Sequence, residues 1–278
     1  MRQLDIEVSP STVVRLLRGM HFSLRANRKS IATQSSPNRN RQFENISALR
    51  NRFKRQCLPI ISVDSKKREL VGNFKNNGSK WDLAPVDVND HDFRSDAAGV
   101  ALPFGVYDVS ANLGAVFVGV SHDTPAFAAH SIAQWWQLEG AVRYPNSSKI
   151  LILADGGGSN GCRPRAWKTE LQSQLCNRFG LTVTVAHYPT GTSKYNPIEH
   201  RLFSEISKNW AAEPLTSYQK TLNFIRTTRT KTGLAVSAYL DRRKYETGKP
   251  IDLASFRDLR IKPAKVLPAW NYTISPQM

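Results

Sequence analysis

Hydrophobic and polar positions change period several times along the 278 residues, and each change predicts an element. After Ser9, a capping residue, Val13, Leu16 and Leu17 fall at helical spacing with Arg15 and Arg18 on the other side. That pattern predicts a short basic helix ended by Gly19. Residues 25–41 are polar and basic without a period, which predicts irregular chain. Gln42–Gln56 returns to helical spacing through Phe43, Ile46, Leu49 and Phe53, with four basic residues between Arg50 and Arg55. Phosphate contact and docking on the core fit this helix equally well.

The period then shortens. Pro59–Asp64 is an apolar run that reads as the first core strand. An insertion rich in Lys, Asn, Asp and Gly follows between Ser65 and Pro103. Within it, Glu69–Phe74 and Ser79–Trp81 around Asn77-Gly78 predict a hairpin with a primed turn. Phe104–Val109 and Ala115–Val120, joined through Asn112–Gly114, predict a second, antiparallel hairpin. Thr124-Pro125 opens a helix through Phe127, Ile132, Trp135, Trp136 and Leu138. Its paired tryptophans suit a core or interface anchor better than a base-stacking platform. Ile150–Asp155 is a strand, 164–179 a helix closed by Gly180, 181–187 a strand, and 188–195 a loop. Helices follow near Glu199–Trp210 and Ser217–Arg229. The later strands arrive through helical crossovers, so the expected fold is α/β: a mixed sheet with helices on both faces.

Charge changes the picture. The net charge is +17, with a pI near 10.1, which suggests a polyanionic partner. Residues 1–60 carry 12 Lys/Arg against 3 acids, whereas 61–240 carry 19 against 15. Residues 241–278 carry 8 against 4. Basic flanks around a nearly neutral centre suit a catalytic core with nucleic-acid-gripping arms. The expected organisation is a basic helical region over 1–56, a partial helix-turn-helix-like DNA-binding segment whose first helix resembles the second helix of that motif, then a catalytic domain over 57–240 with its insertion near 65–102, and a basic tail over 241–278 without assigned elements. Cys57, Cys162 and Cys176 form no CxxC pair, which argues against a disulfide framework or a zinc site. No apolar run reaches the ~18 residues of a membrane span, and the N-terminus lacks an apolar signal stretch. A cytoplasmic, nucleoid-associated location is the expectation.

The candidate chemistry lies in three acids. Asp155 ends a buried strand, and Gly156–Gly158 clear space beside it. A phosphate-cradling loop is the rival, but neither GxxxxGK[ST] nor GxGxxG is present. Asp64 ends an apolar strand, as a solvated turn aspartate also does. Glu199 lies three residues after Asn196, a capping-box spacing, and on the residues alone that reading is the stronger. Asp108 and Asp123 also follow strands and can replace one of the three. His187 and His200 are candidates to assist, though satisfied structural histidines are commoner. Converging carboxylates raise one another's pKa, and holding divalent metal for phosphodiester chemistry is the usual reason for such a cluster.

Ile61–Lys67, Ala154–Asn160, Pro189–Phe203 and Asn209-Trp210 together closely resemble the ISAzo-type family of insertion-sequence DDE transposases. The resemblance runs from about Val8 to the low 250s. It implies a ribonuclease H-like fold, with three antiparallel strands and then parallel strands through helices. It also implies that Asp64, Asp155 and Glu199 form the DDE triad, binding two Mg²⁺ or Mn²⁺ ions, which reverses the reading of Glu199 from residues alone. The implied partners are double-stranded DNA, at element ends and target, and further copies of the chain on DNA. Arg15, Arg18, Lys66, Lys67, Lys194 and Arg201 are the candidate DNA contacts. Relatives carry more of a helix-turn-helix region at the N-terminus, so an N-terminally truncated copy is the expectation. A hydrolysis-only nuclease and a silent DNA-binding remnant are the alternatives.

Overall fold

The computed structural model describes residues 8–25, 37–250 and 252–277. The expectations for the N-terminal seven residues, and for 26–36 within the irregular stretch, lie outside the described residues. The chain divides into two compact units, Met1–Ser35 and Ser36–Met278. In the first, α1 (Pro10–Gly19) forms where the helical period places it, and Ser9 Oγ accepts from the Thr12 N–H. None of its residues is buried, and Arg15 and Arg18 are exposed.

The second unit opens with α2 (Arg39–Arg55), which begins three residues earlier than its apolar pattern. Its strands are β1 (Ile60–Ser65), β2 (Glu69–Val71), β3 (Gly99–Asp108), β4 (Leu113–Gly119), β5 (Lys149–Ala154), β6 (Thr182–His187), β7 (Ala235–Asp241), β8 (Ile261–Pro263) and β9 (Asn271–Ile274). Among the described residues they make one mixed sheet in the order β7-β4-β3-β1-β5-β6-β9-β8, with β2 on β3. β1, β3 and β4 are antiparallel neighbours, and β5 and β6 continue parallel from β1. This is the expected order.

Alternation along the strands sorts residues between two faces. Ile61, Val63, Ile150 and Ile152 face one core, where they meet Phe127 and Trp135 of α3 (Pro125–Trp135) and Trp167 of α5 (Arg165–Leu171). The Thr124 side chain caps α3 as expected. Through a wide turn at Trp136–Gly140, α3 continues into α4 (Ala141–Arg143). Trp135 and Trp136 are buried here, so the tryptophan pair is a core anchor. Ile60, Leu151 and Leu153 face the other way, under Ile46 and Phe53 of α2. Further along that face, Tyr107, Val116 and Val118 lie under Ile198, Leu202, Ile206 and Ile225. Ile198 immediately precedes the wide-turn segment Glu199–Phe203, which supplies Leu202, while Ile206 comes from α6 (Ser204–Asn209) and Ile225 from α7 (Tyr218–Thr227).

One expectation fails. No hairpin forms across Asn77-Gly78. β1 pairs with β3 only from Phe104 onward, which leaves Gly99–Ala101 an open edge, and β2 takes it with Leu70 opposite Val100. The insertion is instead tied to the chain after α6, where the Ala212 N–H donates to Asn77 O and the Gly72 N–H donates to Leu215 O. Trp81 and Leu83 are left exposed. The tail, given no elements from its pattern, holds α8 (Leu253–Arg257), β8 and β9. β9 joins the sheet beside β6 and buries Tyr272 and Ile274.

Candidate active site

Register brings two of the acids together. β1 and β5 are parallel neighbours with Val63 beside Ala154, so Asp64 and Asp155 leave adjacent strands at the same level. Both share parity with Ser62, Leu151 and Leu153, so both belong to the face covered by α2 and the Glu199 helix. Across β1, Asp64 pairs with Gly105 of β3. A side chain at position 105 would meet Ile198 Cδ1 at 2.7 Å and Phe203 Cε1 at 2.7 Å. The missing Cβ is what lets the helix bearing Glu199 lie against the strand beside Asp64.

Asn196 does not cap that helix with its side chain. Ser62 Oγ donates to Asn196 Oδ1 and accepts from the Ile198 N–H at 3.1 Å, and Asn196 Nδ2 donates to Asp155 Oδ1 at 3.0 Å. A buried serine in β1 thus holds both the helix start and the residue that orients Asp155. The capping-box geometry is replaced by tertiary contacts, and Glu199 is left to the acids. The glycines after Asp155 turn the chain sharply, with Gly158 at a φ of 79°. Buried Asn160 donates back to Val63 O at 3.3 Å.

The electrostatics report the crowding. Burial, then the charge of Asp155, pushes the Asp64 carboxyl up to about 8, with Glu199 and Asp123 adding to the rise and the Ser65 N–H opposing it. Burial and Glu199 push Asp155 up to about 6, against the Asn196 hydrogen bond. Glu199 is raised by burial, opposed by His200, by a hydrogen bond shared with Asp64 and by Lys66. A hydrogen bond between two carboxyls requires a proton. Near neutral pH the cluster therefore holds hydrogen where a cation could sit.

The remaining candidates separate clearly. Asp108 lies toward the other end of β1, opposite Ile61, fully buried and bound by Arg143 at 3.0 Å, by the Tyr144 hydroxyl and by two backbone N–H groups. It replaces none of the three. Asp123 is within reach of Asp64, and its Oδ1 and Ser65 Oγ are buried without a hydrogen-bond partner. His187 is fully buried. Its Nδ1–H donates to Asp155 O at 2.9 Å, which leaves Nε2 to accept from the Tyr272 hydroxyl. Burial lowers its pKa to about 4, so it is a neutral anchor of the β5 tip. His200 donates to Lys194 O. Lys66 pairs with Glu69 at 2.7 Å and stands 4.6 Å from the Trp210 ring. Lys66 and Lys67 line a cleft of about 420 Å³ together with Ser65, Asn76, Glu199 and Ser207. Lys194 is exposed beside Tyr195, and Arg201 is turned to the Tyr107 hydroxyl. Arg15 and Arg18 belong to the other unit. The pattern along the chain had not pointed to Ser62 or Gly105, and offered Asn196 only as a helix cap, although a serine inside an apolar strand and a glycine at a strand centre were both visible.

Hard carboxylate oxygens, mutually repelling and partly protonated, are the donor set that Mg²⁺ or Mn²⁺ takes. Among the described residues, no group of three His, Cys, Asp or Glu side chains that could hold an ion is already assembled. Within the described residues, no helix is long and apolar enough to cross a membrane.

Comparison with known proteins agrees with this architecture. The Mos1 transposase paired-end complex with left transposon end superposes with a TM-score of 0.51 at 17% identity, over 78% of this chain and 62% of that one. A pre-cleavage Mos1 transpososome superposes at 0.50 with 16% identity, over 78% and 62%. The chain thus spans about 62% of the length of these solved chains. At such identities the likeness is one of fold, and that fold is ribonuclease H-like. No curated protein matches the chain. The profile of one transposase family, however, matches residues 1–276, nearly the whole sequence. The chain belongs to the family described as the Rhodopirellula transposase DDE domain.

Proposed function

We propose that this protein is a DNA transposase of an insertion sequence, cutting phosphodiesters at element ends and joining the freed ends to target DNA. The observation that carries the reading is the convergence of Asp64, Asp155 and Glu199. They come from three elements to one face at one end of the sheet; burial raises the pKa of all three, and neighbouring acids raise Asp64 and Asp155 further. Family membership supports it. In this reading the three acids hold two Mg²⁺ or Mn²⁺ ions, which when bound supply Lewis-acid activation of the attacking oxygen and stabilisation of the leaving one.

The chain's own side chains do the rest. Asn196 orients the Asp155 carboxylate, and His187 fixes the backbone from which it projects. Lys66 and Lys67, with Asn76 and Ser207, offer donors to the sugar-phosphate beside the scissile bond. Residues 57–240 supply the chemistry, while 1–56 and 241–278 supply most of the excess charge for gripping duplex DNA, with further copies of the chain assembling on it.

The test is nicking of a plasmid carrying the element's ends, with magnesium or manganese, by wild type and Asp155→Asn. Nicking by wild type alone is the expected result. Equal nicking by both, or none by either, removes the reading. Joining of a pre-cleaved labelled end to target separates transposition from hydrolysis alone.

A further inference from the structure

A second concave site lies on the same face of the sheet, at the end away from the acids. α2 lies across this face over the central strands β1, β5 and β6. At its start, Gln42 Nε2 donates to His187 O at 2.7 Å, and Phe43 packs edge-on to Tyr195 at 5.0 Å, both next to the acids. At its end, Ser47, Arg50, Asn51 and Lys54 share one helical face and line a cleft of about 580 Å³. The floor is Leu58, Ile60 and Val109, and Ser110, Tyr144 and Cys57 complete it.

The cleft is a concentration of donors. Among the described residues, neither Arg50 nor Lys54 enters an ion pair, whereas Lys66, Lys80, Arg143, Lys208 and Lys220 each do. Asp108, next to the cleft through Tyr144 and Ser110, is buried, and its oxygens are engaged by Arg143, the Tyr144 hydroxyl and two backbone N–H groups. Two unpaired cations, two hydroxyls and an amide around a concavity with no free carboxylate fit a phosphodiester. An apolar ligand would leave those donors unmatched.

We propose that this cleft grips the sugar-phosphate backbone of the duplex whose scissile bond lies at the acids, so that α2 lies along the DNA. From Arg39 to Lys54 an α-helix advances roughly 22 Å at ~1.5 Å per residue. At ~3.4 Å per nucleotide along each strand, that is about six or seven nucleotides from the reacting phosphate. The inference rests on the DNA-processing reading, but its test needs no catalysis, so the two fail separately.

The experiment titrates a fluorescent duplex of about 24 base pairs, in EDTA, with wild type, Arg50→Gln/Lys54→Gln and, as control, Arg52→Gln/Arg55→Gln from the same helix. The cleft pair is expected to bind roughly tenfold more weakly and to lower the slope of log K against log salt by nearly ~2, at ~0.9 for each phosphate no longer neutralised. The control pair is expected to change binding less than about threefold. Equal losses from both pairs, or none from the cleft pair, overturn the proposal. A second measurement uses unmodified protein. Cys57 is an exposed thiol in the cleft, so the duplex should protect it from maleimide, read at that residue by mass spectrometry. Failure of the duplex to protect it, or equal protection by millimolar inorganic phosphate, overturns the assignment to DNA backbone.

Discussion

Neutralising Asp155 is expected to stabilise the metal-free protein at alkaline pH, although it removes a group proposed as essential for activity. The folded-state pKa of Asp64 is about 8, against an ordinary 3.8, with burial the first cause and Asp155 the second. A raised carboxyl pKa means that the native state binds more protons than the unfolded one between those values. Its stabilising effect is fully present below about pH 4 and is lost as pH rises through 8. Ionising Asp64 in the fold costs on the order of 6 kcal/mol, and Asp155, at about 6, costs on the order of 3 kcal/mol. The two overlap, since each contains repulsion within the same cluster, and both groups keep some solvent. Asp155→Asn should therefore recover about 2 kcal/mol at pH 8. Asparagine keeps an oxygen to accept from Asn196, so no hydrogen bond is lost. For a chain of this size, that is roughly 4–8 °C in Tm. The assay is thermal unfolding in EDTA from pH 4 to 8.5, repeated with magnesium. The gain should fade toward pH 4, and magnesium should raise the Tm of wild type far more than that of the variant. A variant no more stable than wild type at pH 8, or equally stabilised at both ends of the range, would refute the reasoning.

Two further substitutions probe how the site is held. Gly105→Ala forces a methyl to within 2.7 Å of Ile198 and Phe203. It should cost about 1–3 kcal/mol in urea unfolding and abolish nicking by lifting the Glu199 helix, so an active variant of unchanged stability contradicts the packing argument. Gln42→Leu removes an amide paired with Asn271 at 2.7 and 2.8 Å and bound to His187 O at 2.7 Å. Leaving those buried partners unmatched should cost about 2–3 kcal/mol and speed hydrogen exchange in β9; unchanged exchange there would show that α2 does not secure the terminal strand.

What the sequence determined by itself was local. Apolar runs at Ile60–Val63 and Ile150–Ala154 have no face to leave wet, so they were legible as buried strands, and the aspartates ending them as displayed. Thr124-Pro125 and Ser217 mark helix starts through contacts three residues away, and both caps form. Other features depended on partners far along the chain. β2 found an open stretch of β3 instead of its neighbour across Asn77-Gly78. β9, near residue 272, completes the sheet beside β6, a pairing that no short-range period can express. Glu199 shows the difference most clearly. Its spacing from Asn196 is that of a capping box, and only the approach of Ser62 and Asp155 from β1 and β5 takes the Asn196 side chain away. A local pattern records which groups need burial or a hydrogen bond. Which distant group meets that need is decided when the sheet closes, because register sets the distances over which charge and hydrogen bonding act.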